Sequence, residues 1–347
     1  MSPSEITLPE NFDPDAAALS DSGIYGLPFD DEHAYVVVVP VPFEATTSYG
    51  GGTSKGPDAV LAASRQVDLF DHETGRPYAR GIAMLDIPND VARWNSEAQK
   101  DAARVIEHGG IVDERTAEAA ARVNAISERM NGWVYEQTIA LLHAGKMPVI
   151  LGGDHSVPFG AIQAYAEHCP GLGILHLDAH ADLRDAYEGF TWSHASIFHN
   201  VMSRIDGVSK LVQVGVRDLG QAERAMIDAS DGRIVCFYDV DLAARKDEGT
   251  PFARLADEIV APLPQNVYLS WDIDGLDPTL CPNTGTPVPG GLSWNEGIAL
   301  LRALHRSGRR IVGFDLCEIA PGESEWDANV GARLLYKMIG FALMTQR

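Results

Sequence analysis

Cysteines and basic residues are scarce in this chain, and each shortage excludes a class of protein. The 347 residues include four scattered cysteines without a C-x-x-C pair, which indicates reduced thiols in a reducing compartment and argues against a disulfide framework. Lysine and arginine number 27 against 49 acidic residues, for a formal net charge of −22. This surplus argues against nucleic acid or an anionic membrane as partner, and it is compatible with a cationic substrate or with plain solubility.

Long hydrophobic runs are also missing. The apolar run Ala34–Val39 is far too short to span a bilayer, and the polar, acidic segment Met1–Gly26 lacks the apolar core of a signal peptide. We therefore expect a cytoplasmic protein. The sequence shows no internal repeat and no convincing break, so we expect an N-terminal arm over residues 1–30 and a single domain over residues 31–347.

Short runs of branched apolar residues are abundant, and they predict a sheet. Eight buried strands are expected over Ala34–Val39, Gly81–Ile87, Met147–Leu151, Gly173–Leu177, Lys210–Val214, Arg233–Phe237, Asn266–Trp271 and Arg310–Phe314. Amphipathic stretches predict helices over Ser54–Gln66, Glu114–Ala144, Val157–Glu167, Gln221–Ala229, Pro251–Ala261, Ser293–Ser307 and Glu325–Thr345. We expect Pro88–Val112 to be a polar excursion. This alternation is typical of a parallel sheet covered by helices on both faces, with its active site beyond the carboxyl ends of the strands.

Three of the predicted strands are followed directly by polar motifs. These are Gly152-Gly153-Asp154-His155-Ser156, Asp178-Ala179-His180-Ala181-Asp182 and Asp272-Ile273-Asp274. Because a strand sends alternate side chains to the same face, the motifs should converge on one point. The six candidate ligands are His155, Asp178, His180, Asp182, Asp272 and Asp274. Such a set suits two divalent ions such as Mn²⁺ or Ni²⁺, whereas the carboxylates would repel one another without cations.

Two neighbouring side chains are expected to support the ligands. His176 shares the parity of Asp178 but lies deeper in the strand, so we interpret it as a hydrogen-bonded group behind the ligands. Asp154 precedes a predicted helix, and we expect it to cap that helix or to orient a neighbour while His155 reaches the site.

In order and spacing, the motifs resemble the signatures of the ureohydrolases, the arginase and agmatinase family. The resemblance includes Ser270-Trp271-Asp272-Ile273-Asp274-Gly275-Leu276-Asp277-Pro278, Thr284-Gly285-Thr286-Pro287 and Gly313-Phe314-Asp315-Leu316-Cys317-Glu318. It extends from about residue 35 to the C-terminus. It implies a three-layer α/β/α sandwich around an eight-stranded, mainly parallel sheet, and a homo-oligomer, since trimers and hexamers are the family's habit.

The resemblance also implies roles for single residues. His155, Asp178, Asp182 and Asp272 would hold one metal ion, and His180, Asp178, Asp272 and Asp274 the other. Manganese is the commonest metal in the family and nickel is plausible. A hydroxide between the ions would attack the guanidinium carbon, giving urea and an amine, with Asp182 delivering the proton.

Further roles follow from the same resemblance. His194 would shuttle protons or contact the substrate. Glu318 would bind the guanidinium nitrogens through charge-assisted hydrogen bonds, although a structural partnership with Arg217 or Arg333 is the alternative. Asp277 and Asp315 would support the ligands from behind.

The loop between Asp182 and His194 is expected to set the substrate. Arginases resemble one another in Asn and Ser residues that hold the α-carboxylate and amine of arginine, whereas this loop contains no Asn. We expect Tyr187, Phe190 and Trp192 to line the site and to favour a small or alkyl-bearing guanidinium through cation–π contact. The expected substrates are guanidine, agmatine or an alkylguanidine, with an arginase or guanidino-acid hydrolase as the alternative.

Two other features of the sequence leave alternatives open. The glycine-rich segment Ser48–Pro57 departs from the pattern of the family, and it is not a phosphate-binding loop because Lys55 precedes its glycine. Outside the ureohydrolases, the same fold includes single-metal deacetylases, and the chain could instead serve as the partner subunit of a hetero-oligomeric hydrolase.

Overall fold

The computed structural model describes residues 6, 8–9 and 12–346. Within these residues eight strands form one sheet, as predicted: β1 (Val36–Val41), β2 (Ile82–Met84), β3 (Met147–Gly152), β4 (Leu172–Leu177), β5 (Val208–Val216), β6 (Ile234–Tyr238), β7 (Asn266–Asp272) and β8 (Arg310–Cys317). Their order is β2-β1-β3-β8-β7-β4-β5-β6, and the pairings between neighbours are parallel.

Ten α-helices surround the sheet in the part of the chain that the structure describes. They are α1 (Gly56–Ser64), α2 (Asn89–Glu107), α3 (Glu114–His143), α4 (Phe159–His168), α5 (Ile197–Arg204), α6 (Gln221–Ala229), α7 (Asp239–Asp247), α8 (Phe252–Val260), α9 (Trp294–Arg306) and α10 (Trp326–Met344). Each of the seven predicted helices is confirmed within a few residues. The chain is an α/β protein of the predicted class.

Most strand residues are apolar and buried because helices cover both faces of the sheet. Alternate residues of β1 enter different clusters: Val36 and Val38 pack with α1, α9 and α10, whereas Val39 packs with α3 and α4. In β4, Leu175 belongs to the first of these clusters, while Ile174 packs against α4 and α5. These clusters fill the space between the sheet and the helices on each of its two faces, as expected for a three-layer sandwich.

The prediction of a polar excursion over Pro88–Val112 was wrong, because most of this segment is helix α2. Its apolar stripe consists of the small residues Val91, Ala98 and Val105, which recur every seven positions and are buried. Polar residues dominate the rest of the segment and lower its average hydrophobicity, although the buried stripe has helical periodicity and packs against α3. Helices α5 and α7 were also not predicted.

The expected N-terminal arm packs onto the domain where the structure describes it. Ile24, Tyr25 and Leu27 are buried, and the Tyr25 hydroxyl donates a hydrogen bond to the Ala332 carbonyl of α10 at 3.0 Å. Residues 1–5, 7, 10 and 11 of the expected arm lie outside the described residues. The division at residue 30 therefore stays a prediction.

Among the helices that the structure describes, none combines the length and apolar character needed to cross a membrane.

The sheet order explains where the polar motifs meet. The central strands β3, β8, β7 and β4 are neighbours, and they end at Gly152, Cys317, Asp272 and Leu177 respectively. All four run in the same direction, so their carboxyl ends lie along the same edge of the sheet. The three motifs and Glu318 therefore emerge beside one another.

Candidate active site

The structure brings the six predicted ligands together. His155 Nδ1 lies 3.0 Å from Asp178 Oδ2, 3.6 Å from Asp182 Oδ2 and 3.4 Å from Asp272 Oδ2. His180 Nδ1 lies 3.2 Å from Asp178 Oδ1 and 3.1 Å from Asp274 Oδ2. Asp178 thus stands between two imidazoles and offers one oxygen to each. Two groups of possible metal ligands share this residue, one around His155 and Asp182 and one around His180 and Asp274.

Hydrogen bonds from main-chain N–H groups to carboxylate oxygens fix the ligand motifs relative to one another. Asp272 is the last residue of β7, and its Oδ1 accepts a bond from the Asp274 N–H at 2.8 Å. Asp274 Oδ1 in turn accepts a bond from the Ala179 N–H at 2.9 Å, which joins the β7 motif to the β4 motif. Gly275 is required here, because a Cβ at this position would lie 2.7 Å from Asp178 N. Asp182 has a φ of +53°, a strained conformation that recurs at functional sites.

The crowding of buried carboxylates indicates that the site is built for cations. Burial and the charge of Asp178 raise the pKa of Asp182 well above its ordinary value, and burial and the charge of Asp274 do the same for Asp272. Burial also disfavours charge on Asp178, but the surrounding histidines outweigh it and lower the pKa of that carboxyl. Oxygen and imidazole donors of this kind and number fit a pair of divalent transition-metal ions.

A chain of polar groups supports the ligands from behind. His155 Nε2 lies 2.9 Å from Ser270 Oγ, and that hydroxyl donates to Asp315 Oδ1 at 3.0 Å. His176 Nε2 lies 2.8 Å from Asp178 Oδ2, while Gln213 Nε2 donates to His176 Nδ1 at 2.9 Å. Such contacts fix the tautomer and orientation of ligating groups. Asp315 and His176 thus occupy the expected places, and Ser270 and Gln213 are additions that the structure supplies.

Asp277 and Asp154 lie outside this chain of contacts. Asp277 Oδ1 accepts hydrogen bonds from the N–H and hydroxyl of Thr279, at 2.9 and 2.6 Å, so its side chain stabilises a turn. The expectation that Asp277 supports the ligands is corrected. Asp154 Oδ1 accepts bonds from the N–H and hydroxyl of Ser156, whereas α4 begins only at Phe159. Burial raises the pKa of Asp154 to about 7.

Glu318 follows β8 and faces the same cavity. Its Oε1 accepts a hydrogen bond from the His155 N–H at 2.9 Å, and its φ of +64° places it among the few non-glycine residues in the left-handed region. Burial and the charge of Asp272 raise the pKa of its carboxyl. Arg217 donates instead to the carbonyls of Val288 and Asp274, so the structure gives no support to a partnership between Arg217 and Glu318.

His194 also lines the cavity, at the start of a short 3-10 helix. Its Nδ1 is 3.2 Å from Thr46 Oγ1, and the ring of Tyr187 stands edge-on to its imidazole with the centroids 6.5 Å apart. Enclosure by the pocket lowers the pKa of His194 to about 4, and the charge of His180 acts in the same direction. The imidazole is therefore neutral near pH 7.

Only one of the three predicted loop aromatics reaches the cavity. Tyr187 lines it, with the guanidinium of Arg184 stacked 4.8 Å from the ring centre. Phe190 is fully buried in a cluster of α2 and α3 side chains, and Trp192 packs edge-on against Phe159. The expectation that all three line the site is corrected, because a tight turn at Glu188-Gly189, with positive φ at both residues, redirects the chain.

The cavity itself is small, with a volume of about 170 Å³. Its lining comprises Ser48, His155, His180, Asp182, Arg184, Tyr187, His194, Ala195, Asp218, Glu223, Asp272, Thr286 and Glu318. Ser48, Arg184, Asp218, Glu223 and Thr286 were not predicted as site residues. Thr286 lies in a motif already noted, and Gln213 stands out as a polar residue in a buried strand, so both carried a usable signal. Ser48 and Arg184 lie in the glycine-rich segment and the substrate loop already noted, whereas long-range contacts that sequence spacing does not reveal bring Asp218 and Glu223 to the site.

Comparisons with known proteins find related sequences and structures of the same fold. The model of the arginase family matches residues 34–340. The N(1)-aminopropylagmatine ureohydrolase of Thermus thermophilus is 35% identical over 309 residues, which cover 89% of this chain and 90% of that protein. The agmatinase of Proteus mirabilis is 29% identical over 307 residues, covering 87% and 86%. The structure of the agmatine ureohydrolase of Thermoplasma volcanium superposes with a TM-score of 0.70 at 23% identity, covering 94% of this chain and 96% of that one.

The fold and the site thus define a hydrolase of the α/β class with a buried carboxylate and imidazole centre. The chain belongs to the arginase family.

Proposed function

We propose that this chain is a ureohydrolase that converts a small guanidino compound, namely guanidine, agmatine or an alkylguanidine, into urea and ammonia or an amine. One observation carries the proposal: Glu318 and the six candidate ligands line or adjoin a single cavity, and Glu318 is held there by the backbone of a ligand residue. The ureohydrolase and agmatinase names of the similar proteins support the same reaction class.

Two divalent ions, Mn²⁺ or Ni²⁺, fit the donor set. His155, Asp178, Asp182 and Asp272 would hold one ion, and His180, Asp178, Asp272 and Asp274 the other. When bound, such ions lower the pKa of a coordinated water and so provide a nucleophile near neutral pH. The mutual repulsion of the buried carboxylates, which binding would relieve, supports this assignment.

The protein's own side chains would bind and orient the substrate. One oxygen of Glu318 is engaged by the His155 N–H, which leaves the other free to accept a guanidinium N–H in a charge-assisted bond. Tyr187 contributes an aromatic ring to the lining of the same cavity. Neutral His194 can accept or donate a proton, and Asp182, which belongs to the His155 group and lines the cavity, can deliver a proton to the departing amine.

A second candidate substrate class is favoured by one residue. Arg184 lines the cavity and keeps 44% of its side chain exposed beside Glu223. Its guanidinium could pair with a distal carboxylate, which a guanidino acid has and which guanidine and agmatine lack. The small cavity favours the smaller compounds.

The four cysteines are free thiols, which supports the cytoplasm as the proposed location.

The test is urea release by purified protein loaded separately with Mn²⁺ and Ni²⁺. Guanidine, N-methylguanidine, agmatine, guanidinoacetate and arginine would be offered in parallel, and bound metal would be counted in each preparation. We expect urea from guanidine or a small alkylguanidine and two ions per chain. Urea only from guanidinoacetate would establish the guanidino-acid hydrolase. No urea with one ion per chain would favour a deacetylase, and no urea with two ions a partner subunit.

A further inference from the structure

The segment after β1 carries a buried carboxylate that the proposed reaction does not use. Glu44 is only 7% exposed. Its Oε2 accepts hydrogen bonds from the Gly52 N–H at 2.7 Å, the Thr53 hydroxyl at 3.0 Å and the Ser54 N–H at 3.2 Å. Its Oε1 accepts bonds from the Ser54 hydroxyl at 2.9 Å and from Gln99 at 3.3 Å. Five neutral donors thus surround one buried negative charge, four of them from the glycine-rich segment.

The position of Glu44 itself is set by rigid neighbours. The carbonyl of the preceding residue, Phe43, accepts a hydrogen bond from the Asp154 N–H at 2.9 Å. The Glu44 N–H donates to Asn95 Oδ1 of α2 at 2.8 Å. The carboxylate is therefore anchored between α2 and the turn that carries His155.

The residues that Glu44 holds belong to one wall of the cavity, and we call Ser48–Ser54 the glycine wall. Ser48 lines the cavity. Gly50 approaches Gly285 so closely that a Cβ at Gly50 would lie 2.5 Å from the Gly285 carbonyl oxygen. A Cβ at Gly285 would in turn lie 3.4 Å from Glu318 Oε2. The glycine wall therefore lies against the backbone that adjoins the substrate-binding carboxylate.

The glycine wall has little conformational preference of its own. Gly50, Gly51 and Gly52 have φ values of +71°, +117° and +105°, and glycine reaches many other conformations as readily. A Cβ at Gly51 would meet nothing within 4 Å, so neighbouring atoms do not confine that residue. The hydrogen bonds to Glu44 therefore restrain the end of the wall, together with the bond from the Lys55 N–H to the Gly52 carbonyl at 3.1 Å.

We propose that Glu44 is a positioning residue that holds the glycine wall against the rim of the cavity and thereby restricts the cavity to small guanidino compounds. The inference rests on the proposed function for its substrate. Glu44 acts through Ser48, Gly50 and Gly285 and does not touch the substrate. Without its carboxylate the wall moves outward, so a small guanidinium loses its enclosure while a longer alkyl chain gains room.

The first readout is independent of activity. Hydrogen–deuterium exchange is compared in metal-loaded wild type, Glu44→Gln, Ser54→Ala and Asp58→Asn, using peptides that contain Gly52 and Ser54. Glutamine keeps one acceptor oxygen but turns an amide donor toward groups that are themselves donors. We expect exchange at the Gly52 and Ser54 amides to rise about tenfold or more in Glu44→Gln, in line with the loss of a charge-assisted hydrogen bond. Ser54→Ala, which leaves Glu44 intact, should show a smaller rise.

The second readout is substrate selection by the same variants. In Glu44→Gln we expect KM for guanidine to rise about tenfold while kcat changes much less, and the preference for guanidine over N-butylguanidine to fall by a similar factor. Asp58→Asn removes an exposed carboxylate just beyond the wall and should behave as wild type in both readouts. Ser54→Ala serves as the test if Glu44→Gln does not fold.

Each outcome decides one part of the inference. Unchanged exchange in Glu44→Gln and Ser54→Ala would overturn the anchoring role. Faster exchange with an unchanged preference between the two guanidines would overturn the role in size selection, as would a wild type that prefers N-butylguanidine. If wild type released no urea from any guanidino compound, the proposed function would fall, and the exchange data alone would decide whether Glu44 holds the wall.

Discussion

His155 and Glu318 are joined by a hydrogen bond although 163 positions separate them in the sequence. The His155 N–H donates to Glu318 Oε1 at 2.9 Å, and the Glu318 N–H donates to the carbonyl of Gly153 at 2.8 Å. These two bonds join the end of β3 to the end of β8. The carboxylate that would bind the guanidinium is therefore positioned directly by the chain segment that carries the candidate metal ligand His155.

Replacing Glu318 by glutamine should weaken substrate binding without emptying the metal site. Glutamine retains an oxygen for the His155 N–H, but it loses the negative charge that faces the guanidinium. We expect kcat/KM to fall about 10- to 100-fold, the equivalent of one charge-assisted hydrogen bond. Urea release and metal content are measured in parallel, with Glu323→Gln as the exposed control. Normal kcat/KM in Glu318→Gln would contradict the assigned role.

Replacing Asp272 by alanine should abolish turnover and lower the metal content. Asp272 lies at the junction of the two ligand groups, 3.4 Å from His155 Nδ1 and bonded to the Asp274 N–H, so both ions would lose a ligand. The matched comparison is Asp277→Ala, whose side chain contacts Thr279 and which should keep its full metal complement. Full metal occupancy and retained activity in Asp272→Ala would refute the shared-ligand role.

The pH dependence of the reaction should not contain a His194 titration near pH 6.5. With a pKa of about 4, the imidazole is protonated only below that pH, so it stays neutral from pH 5 upward. We expect His194→Asn to lower kcat by about 100-fold or more, as removal of a proton-transfer group does, and by the same factor at each pH from 5 to 8. The prediction would be contradicted if the activity of the wild type fell on the acid side with a midpoint near pH 6.5 and that of the variant did not.

A methyl group at Gly153 should damage the fold at the site. A Cβ there would lie 2.0 Å from the carbonyl oxygen of Phe43, and both partners are main chain, so the strand ends must separate. We expect Gly153→Ala to lose about 1–3 kcal/mol of unfolding free energy and to bind less metal. Gly132→Ala is the control: it is exposed in α3 with no neighbour in the way and should gain about 0.5–1 kcal/mol. Thermal unfolding of both variants tests the difference.

The strands and the ligands could be predicted because each leaves a local signal. Four successive valines at Val36–Val39 fit a strand buried on both faces, and the alternation of Asp178, His180 and Asp182 fits a strand end. Helix α2 also leaves a periodic signal, since Val91, Ala98 and Val105 recur every seven positions, but the many polar residues between them made the segment look like a loop.

The aromatic loop shows a second limit of sequence reasoning. Tyr187 and Phe190 are three positions apart, yet one lines the cavity and the other lies in a distant cluster. The turn between them depends on positive φ at Glu188, a conformation that the sequence does not announce at a glutamate. Contacts such as that between Glu44 and Gln99 depend on the tertiary fold and leave no pattern in spacing.

The position of β8 has a consequence for how the protein is made. It is the last strand along the chain, yet it lies between β3 and β7 in the middle of the sheet. During synthesis, β3 and β7 leave the ribosome before β8, and the position between them stays empty until residues 310–318 have also emerged. The candidate ligands of β4 and β7 can approach one another without β8, because these two strands pair directly. His155 on the β3 side can join them only after β8 has been made, and β8 also brings Glu318 to the site.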